Sequence, residues 1–129
     1  MGYVLQLYCN RCNKAKEYRL GQGINDRKIE NILEHFGLPE RKRINDILKI
    51  YDTETVWNYQ KVLGICRKCG EVEDIPRLQI LRENEKTVTI KPSCRCGGVY
   101  RETDGMEEVQ VLCPRCHSVF TKEIKGIWD

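Results

Sequence analysis

Cys113-Pro114-Arg115-Cys116 is the last of four short cysteine pairs that together hold all eight cysteines of the 129-residue chain. The others are Cys9-Asn10-Arg11-Cys12, Cys66-Arg67-Lys68-Cys69 and Cys94-Arg95-Cys96. A Cys-x-x-Cys segment at a tight turn presents two sulfurs to one tetrahedral ion and keeps backbone amides beside the thiolates. Zinc(II) takes four such ligands at about 2.3 Å and, in a structural role, needs no open position. Two pairs per ion use every sulfur. The spacing therefore predicts two zinc ions per chain, held by Cys9, Cys12, Cys66, Cys69, Cys94, Cys96, Cys113 and Cys116.

A disulfide framework is the competing reading. It goes with secretion and usually a shorter chain. Met1 to Gln6 shows no basic leader followed by an apolar core, so no export signal is expected and a cytoplasmic location is. Bridges within pairs would close tiny loops and stabilise little. As for which pairs share an ion, Cys96 and Cys113 are separated by 16 residues, inside the interval of about 15–20 usual for such zinc sites. The expected centres are thus Cys94, Cys96, Cys113 and Cys116 on one side, and Cys9, Cys12, Cys66 and Cys69 on the other. An interleaved pairing would tangle the connections.

Size and composition fit this picture. Each half of the chain is near the length at which a core alone is marginal and a metal staple is usual. The formal charge of +3 falls to −1 once two zinc tetrathiolates, each adding −2, are included. That weakens any inference to nucleic acid from charge alone. No apolar run approaches the roughly 18 residues of a membrane span.

Taken in order, Tyr3 to Tyr8 alternates like a strand, and Lys14 to Leu20 returns from the first cysteine turn. Ile29, Ile32, Leu33 and Phe36 recur at helical spacing, with Asn25 or Asp26 as a cap. Gly37-Leu38-Pro39 opens a second helix striped by Ile44, Ile47, Leu48 and Tyr51. Val56 to Ile65 is strand-like, and Arg77–Leu81 with Thr87–Ile90 reads as a hairpin around Glu83-Asn84-Glu85. Val99–Glu102, a turn at Thr103-Asp104-Gly105, Glu108–Leu112 and Val119–Ile124 complete the strands, and Ile127-Trp128 packs back or hangs free. The fold class expected is α+β: two small zinc-stapled β modules, the first carrying a helical hairpin, linked by a β-hairpin. Residues 1–76 would form the N-terminal module, with its insertion at about 24–52. Residues 77–129 would hold the linking hairpin and the C-terminal module.

The knuckles Cys66-Arg67-Lys68-Cys69-Gly70 and Cys113-Pro114-Arg115-Cys116 resemble those of the zinc-ribbon class of transcription factors, RNA polymerase subunits and small bacterial proteins. Cys9-Asn10-Arg11-Cys12 followed by Leu20-Gly21-Gln22-Gly23 is similar to small bacterial tandem-ribbon proteins of unassigned function. The resemblance implies a bound metal and ribbon modules, and does not extend to residues 24–55. Cys94-Arg95-Cys96 departs from it by one residue and demands a tighter turn, with Gly97 and Gly98 to help. Four thiolates also suit iron, as in rubredoxin, which makes iron the second choice of metal.

No nucleophile motif, phosphate-binding Gly-rich loop or three-ligand metal site is present in the sequence, so no enzyme is expected. The first functional expectation is a non-catalytic interaction module that binds protein or nucleic acid, with no small-molecule substrate. The alternative is a redox-sensitive zinc switch that loses its metal when the cysteines oxidise. Arg11, Arg67, Lys68, Arg95 and Arg115 lie inside the pairs, where cations offset thiolate charge or reach phosphate. Arg41, Lys42, Arg43 and Lys49 read as a solvated helix face. Tyr3, Tyr8, Tyr18, Trp57 and Tyr59 read as core before base-stacking surface. His117 is expected near the metal without binding it, and His35 at or near the surface.

Overall fold

Alternating apolar residues in Gly2–Cys9 form β1, and the chain returns as β2 (Lys14–Gly21). A 3₁₀ turn at Ile24–Arg27 leads into the short helix α1 (Ile29–Leu33) and, past Gly37, into α2 (Leu38–Ile50). There follow β3 (Val56–Cys66), β4 (Val72–Leu81), β5 (Val88–Ile90), β6 (Tyr100–Thr103) and β7 (Thr121–Trp128). The computed structural model describes residues 2–50, 56–81, 87–103 and 111–128. The architecture is α+β and mainly antiparallel sheet, with strand order β5-β4-β3-β2-β1-β7 and β6 attached to β3.

The long β3–β4 hairpin is the spine. Its register places Ile65↔Val72, Tyr59↔Leu78 and Trp57↔Ile80 on one face and Val62↔Ile75 on the other, as the two-residue period of a strand requires. At the cysteine end of the first face, Leu63 and Val72 join Leu5, Leu7, Tyr18, Leu20 and Val111 in one buried cluster. At the other end, Tyr59, Leu78, Ile80 and Ile90 are covered by Ile32, Phe36 and Ile44 of the helical segment. The opposite face carries a smaller cluster of Val62, Ile75 and Tyr100 with Cys66 and Cys94. Each fully buried aliphatic side chain contributes about 1.5–3 kcal/mol of transfer free energy. Among the described residues, three small clusters share this stabilisation.

The sheet opens where β2 meets β3, because their pairing reduces to Gly21↔Lys61. Beyond it, β6 takes over the same edge of β3, from Leu63↔Thr103 to Cys66↔Tyr100. The β1–β2 hairpin is thereby free to fold over the start of β4. Tyr18 donates its hydroxyl to the Val72 carbonyl at 3.3 Å, the Arg19 amide donates to Asp74 Oδ2 at 3.2 Å, and Lys16 pairs with Glu73 at 3.3 Å.

Most expected elements occur near their expected places, with local differences. The first helix is only five residues long and starts after Lys28, which supplies no side-chain cap. Asp26 is not that cap. Its carboxylate accepts the Gly23 amide at 2.8 Å and meets His35 Nε2 at 3.1 Å, closing the 3₁₀ turn instead. His35 lies flat on the Tyr59 ring, 5.7 Å between centroids. Both helical stripes pack together and onto the strands, while Tyr51 lies outside the described residues. Arg41 Nε donates to the Phe36 carbonyl at 2.7 Å. Arg41, Lys42 and Arg43 are all exposed, as a solvated helix face requires, and Arg41 also reaches the chain's own backbone. The hairpin expected at Arg77–Ile90 pairs Leu78–Ile80 with Val88–Ile90. Its turn, like the turn at 104–105 and most of 108–112, lies outside the described residues. β4 starts earlier than expected, at Val72, so the 76/77 boundary falls inside a strand. The C-terminal segment is β7, paired along β1 from Gly2↔Trp128 to Tyr8↔Thr121. Trp128 Nε1 donates to the Leu20 carbonyl at 3.0 Å, so this end packs back on the sheet.

Candidate metal centres

The β1–β2 and β3–β4 hairpins each end in a cysteine turn. Cys9 closes β1 and Cys12 precedes β2; Cys66 closes β3 and Cys69 precedes β4. The remaining pairs sit just before β6 and β7. Because β7 runs antiparallel to β1, its first residue lies beside the last residues of β1. The turn Cys113–Cys116 is therefore carried to Cys9 and Cys12. The same geometry on β3 and β6 carries Cys94 and Cys96 to Cys66 and Cys69.

The grouping expected from spacing is corrected by these ladders. Cys9, Cys12, Cys113 and Cys116 form an outer group, and Cys66, Cys69, Cys94 and Cys96 an inner one. The short interval between Cys96 and Cys113 does not decide, because strand pairing selects the partners. Nor is the arrangement interleaved: one group is nested within the other along the chain, so no connections cross.

Within each group the four Sγ atoms lie within 4.8 Å of one another. Cys9 and Cys116 are 3.5 Å apart and Cys12 and Cys113 4.0 Å. Cys66 and Cys96 are 3.4 Å apart and Cys69 and Cys94 3.6 Å. Sulfurs on a tetrahedron about 2.3 Å from a central ion stand about 3.8 Å from each other. Both groups have the dimensions to hold one tetrahedral ion, and the eight cysteines named from sequence are the residues that would hold the two.

The turns share one closure. In Cys66–Glu71 the Gly70 amide donates to the Cys66 carbonyl at 3.0 Å, and the Cys66 amide to the Glu71 carbonyl at 2.8 Å. Cys113–Ser118 repeats this through His117 and Cys113, at 2.9 and 2.8 Å. The shortened turn makes the same two bonds with one residue fewer: Gly97 to Cys94 at 2.8 Å and Cys94 to Gly98 at 3.0 Å. In all four turns the residue after the second cysteine has positive φ: Asn13 at 52°, Gly70 at 79°, Gly97 at 86° and His117 at 62°. That conformation is free for glycine and tolerated best by Asn, Asp and His among the rest. It explains His117. The residue is exposed and has a backbone role that sequence reasoning missed. The Gly after Cys69 and the Gly after Cys96 were the visible signal.

The closure also aims amides at sulfur. The Cys12 amide lies 3.4 Å from Cys9 Sγ, and the Lys68 and Cys69 amides each 3.4 Å from Cys66 Sγ. The Cys69 amide, foremost, holds the Cys66 thiol down at about 6. Bonds from Ser118, first from its side chain, do the same for Cys116, also at about 6. The Cys96 and Cys116 amides lower Cys94 and Cys113 in the same way. Cys12 moves oppositely, up to about 12, chiefly through its hydrogen bond with Cys116 and then through lost hydration. Some sulfurs of a group are thus set up as thiolates while a neighbour keeps its proton. A divalent cation at the centre removes the need for that proton. Arg11, Arg67, Lys68, Arg95 and Arg115 are all exposed around the turns, and Lys68 Nζ donates to the Cys96 carbonyl at 3.5 Å.

No protein-family model, no curated protein and no solved structure matches this chain. Among the described residues no helix is long and apolar enough to cross a membrane.

Proposed function

We propose that the chain is a non-catalytic zinc protein. On this reading its two four-cysteine centres hold a small scaffold that binds another macromolecule, protein or nucleic acid, in the cytoplasm. The observation that carries the proposal is the pair of tetrahedron-sized sulfur groups at the strand ends. Zinc fits a site closed by four sulfurs, and such a site offers no position for an activated water. The local strand orders β2-β1-β7 and β4-β3-β6 are alike. They support a reading as two zinc ribbons, the second inserted within the first.

Metal analysis of the purified chain tests the core of this reading, with two zinc ions per chain expected. A chelator should then abolish near-UV circular dichroism, because in such small folds metal-binding energy is folding energy. One ion or none per chain, or a chelated protein that keeps its tertiary signal, overturns it. Binding to RNA, single-stranded DNA and duplex DNA across a salt series tests the nucleic-acid form. Phosphate contacts by the exposed turn cations require affinity to fall as salt rises.

A further inference from the structure

We propose that the two centres differ in kind: the inner one is an oxidation site, with Cys96 as the thiolate attacked first and Cys66 as its resolving partner. The inference rests on the zinc reading above and goes beyond it by assigning chemistry to one centre.

The two groups are not equally sheltered. In the outer group Cys9 and Cys113 are buried and Cys12 and Cys116 half-buried. The inner group alternates between buried Cys66 and Cys94 and exposed Cys69 and Cys96. The outer sulfurs are also pinned by the long β1–β7 ladder. The turn bearing Cys96 leads only into the four-residue β6. Exposure and a neighbouring second thiol are what make a cysteine sensitive to oxidation. Cys96 has both, since its sulfur lies 3.4 Å from that of Cys66.

The chemistry with hydrogen peroxide balances. The Cys96 thiolate attacks one peroxide oxygen, breaking the O–O bond and giving a sulfenic acid and hydroxide. The Cys66 thiolate then attacks the Cys96 sulfur, forming the S–S bond and expelling the second hydroxide. Two protons convert the hydroxides to water. Two electrons have passed from the sulfur pair to peroxide, and the ion, left with Cys69 and Cys94 alone, leaves the site. The loss reaches the core, because Cys66 and Cys94 belong to the cluster of Val62, Ile75 and Tyr100 on the opposite face of the spine.

The test uses the full zinc-loaded chain. Metal content is measured first. Peroxide is then added in steps while a chromogenic chelator reports free zinc, and trapped thiols and disulfides are mapped by mass spectrometry. The expected result is release of one ion of two, a Cys66–Cys96 bridge, intact outer cysteines, and recovery of the second ion on reduction with added zinc. Release of both ions in one phase, first oxidation at Cys12 or Cys116, or retention of both ions at peroxide that oxidises a free thiol would each overturn the proposal. A chain that carries no zinc at the outset refutes the zinc reading instead, and the same thiol map still decides whether Cys96 reacts first.

Discussion

Replacing Gly98 by alanine strikes one centre and spares the other. A Cβ at this position would lie 2.5 Å from Cys66 Sγ, 2.8 Å from Lys68 Cβ and 3.3 Å from Cys96 Sγ. The sulfur contact is about 1 Å short of ordinary van der Waals distance. Neither side can yield. Gly98 is held by the Cys94 amide at 3.0 Å. Cys66 is held by the β3 ladder and by two amides at 3.4 Å from its sulfur. Overpacking of this kind costs about 1–3 kcal/mol. If the cost falls on the metal-bound form, zinc at the inner centre weakens by about 5- to 150-fold, at roughly 1.4 kcal/mol per decade. Titration against a competing chelator resolves two binding steps. In Gly98→Ala the step lost or weakened should belong to Cys66, Cys69, Cys94 and Cys96, as shown by which cysteines react with an alkylating agent. An inner affinity within twofold of the parent, or equal weakening of both steps, would refute the steric argument.

Cys113→Ser should expose Cys9 and Cys12 to alkylation while Cys66 and Cys69 stay protected; the opposite pattern in a mass map would overturn the nested grouping. His117→Gly relieves a left-handed residue that touches no metal and should raise stability by about 0.5–1 kcal/mol, read by thermal denaturation. Gly70→Ala, placed in open space but at φ 79°, should lose about 1–2 kcal/mol in the same assay. The Tyr59 hydroxyl is buried with no hydrogen-bond partner among the described residues, so Tyr59→Phe should be neutral or stabilising by up to about 1 kcal/mol in urea unfolding.

Sequence alone revealed what is local. Alternation marked β1, the return from the first cysteine turn marked β2, aromatic and β-branched residues marked β3, helical spacing marked Ile32, Phe36 and Ile44, and the cysteine pairs marked every candidate ligand. The start of β4 was hidden by Pro76, which reads as a break in a strand. In the fold Pro76 stands opposite Lys61 inside the β3–β4 ladder, beyond the reach of β5, which pairs only with Leu78–Ile80. The grouping of sulfurs was hidden for a different reason. Spacing between knuckles is a short-range rule, whereas β1 and β7 pair along the backbone across more than one hundred residues. Asp26 shows the same limit on a smaller scale. Its place before a helical stripe suggests a cap, yet burial beside Gly23 and His35 gives it another partner.

Nesting one sulfur group inside the other imposes an order on biosynthesis. A ribosome delivers the chain from its N-terminus, and the inner group with its strands is complete at Thr103. Cys9 and Cys12 emerge before the inner group and wait through its synthesis for Cys113 and Cys116, which follow it. A nascent chain therefore brings the inner four sulfurs together while Cys9 and Cys12 are still an open pair of thiols, and the outer four meet only after the inner strands are made.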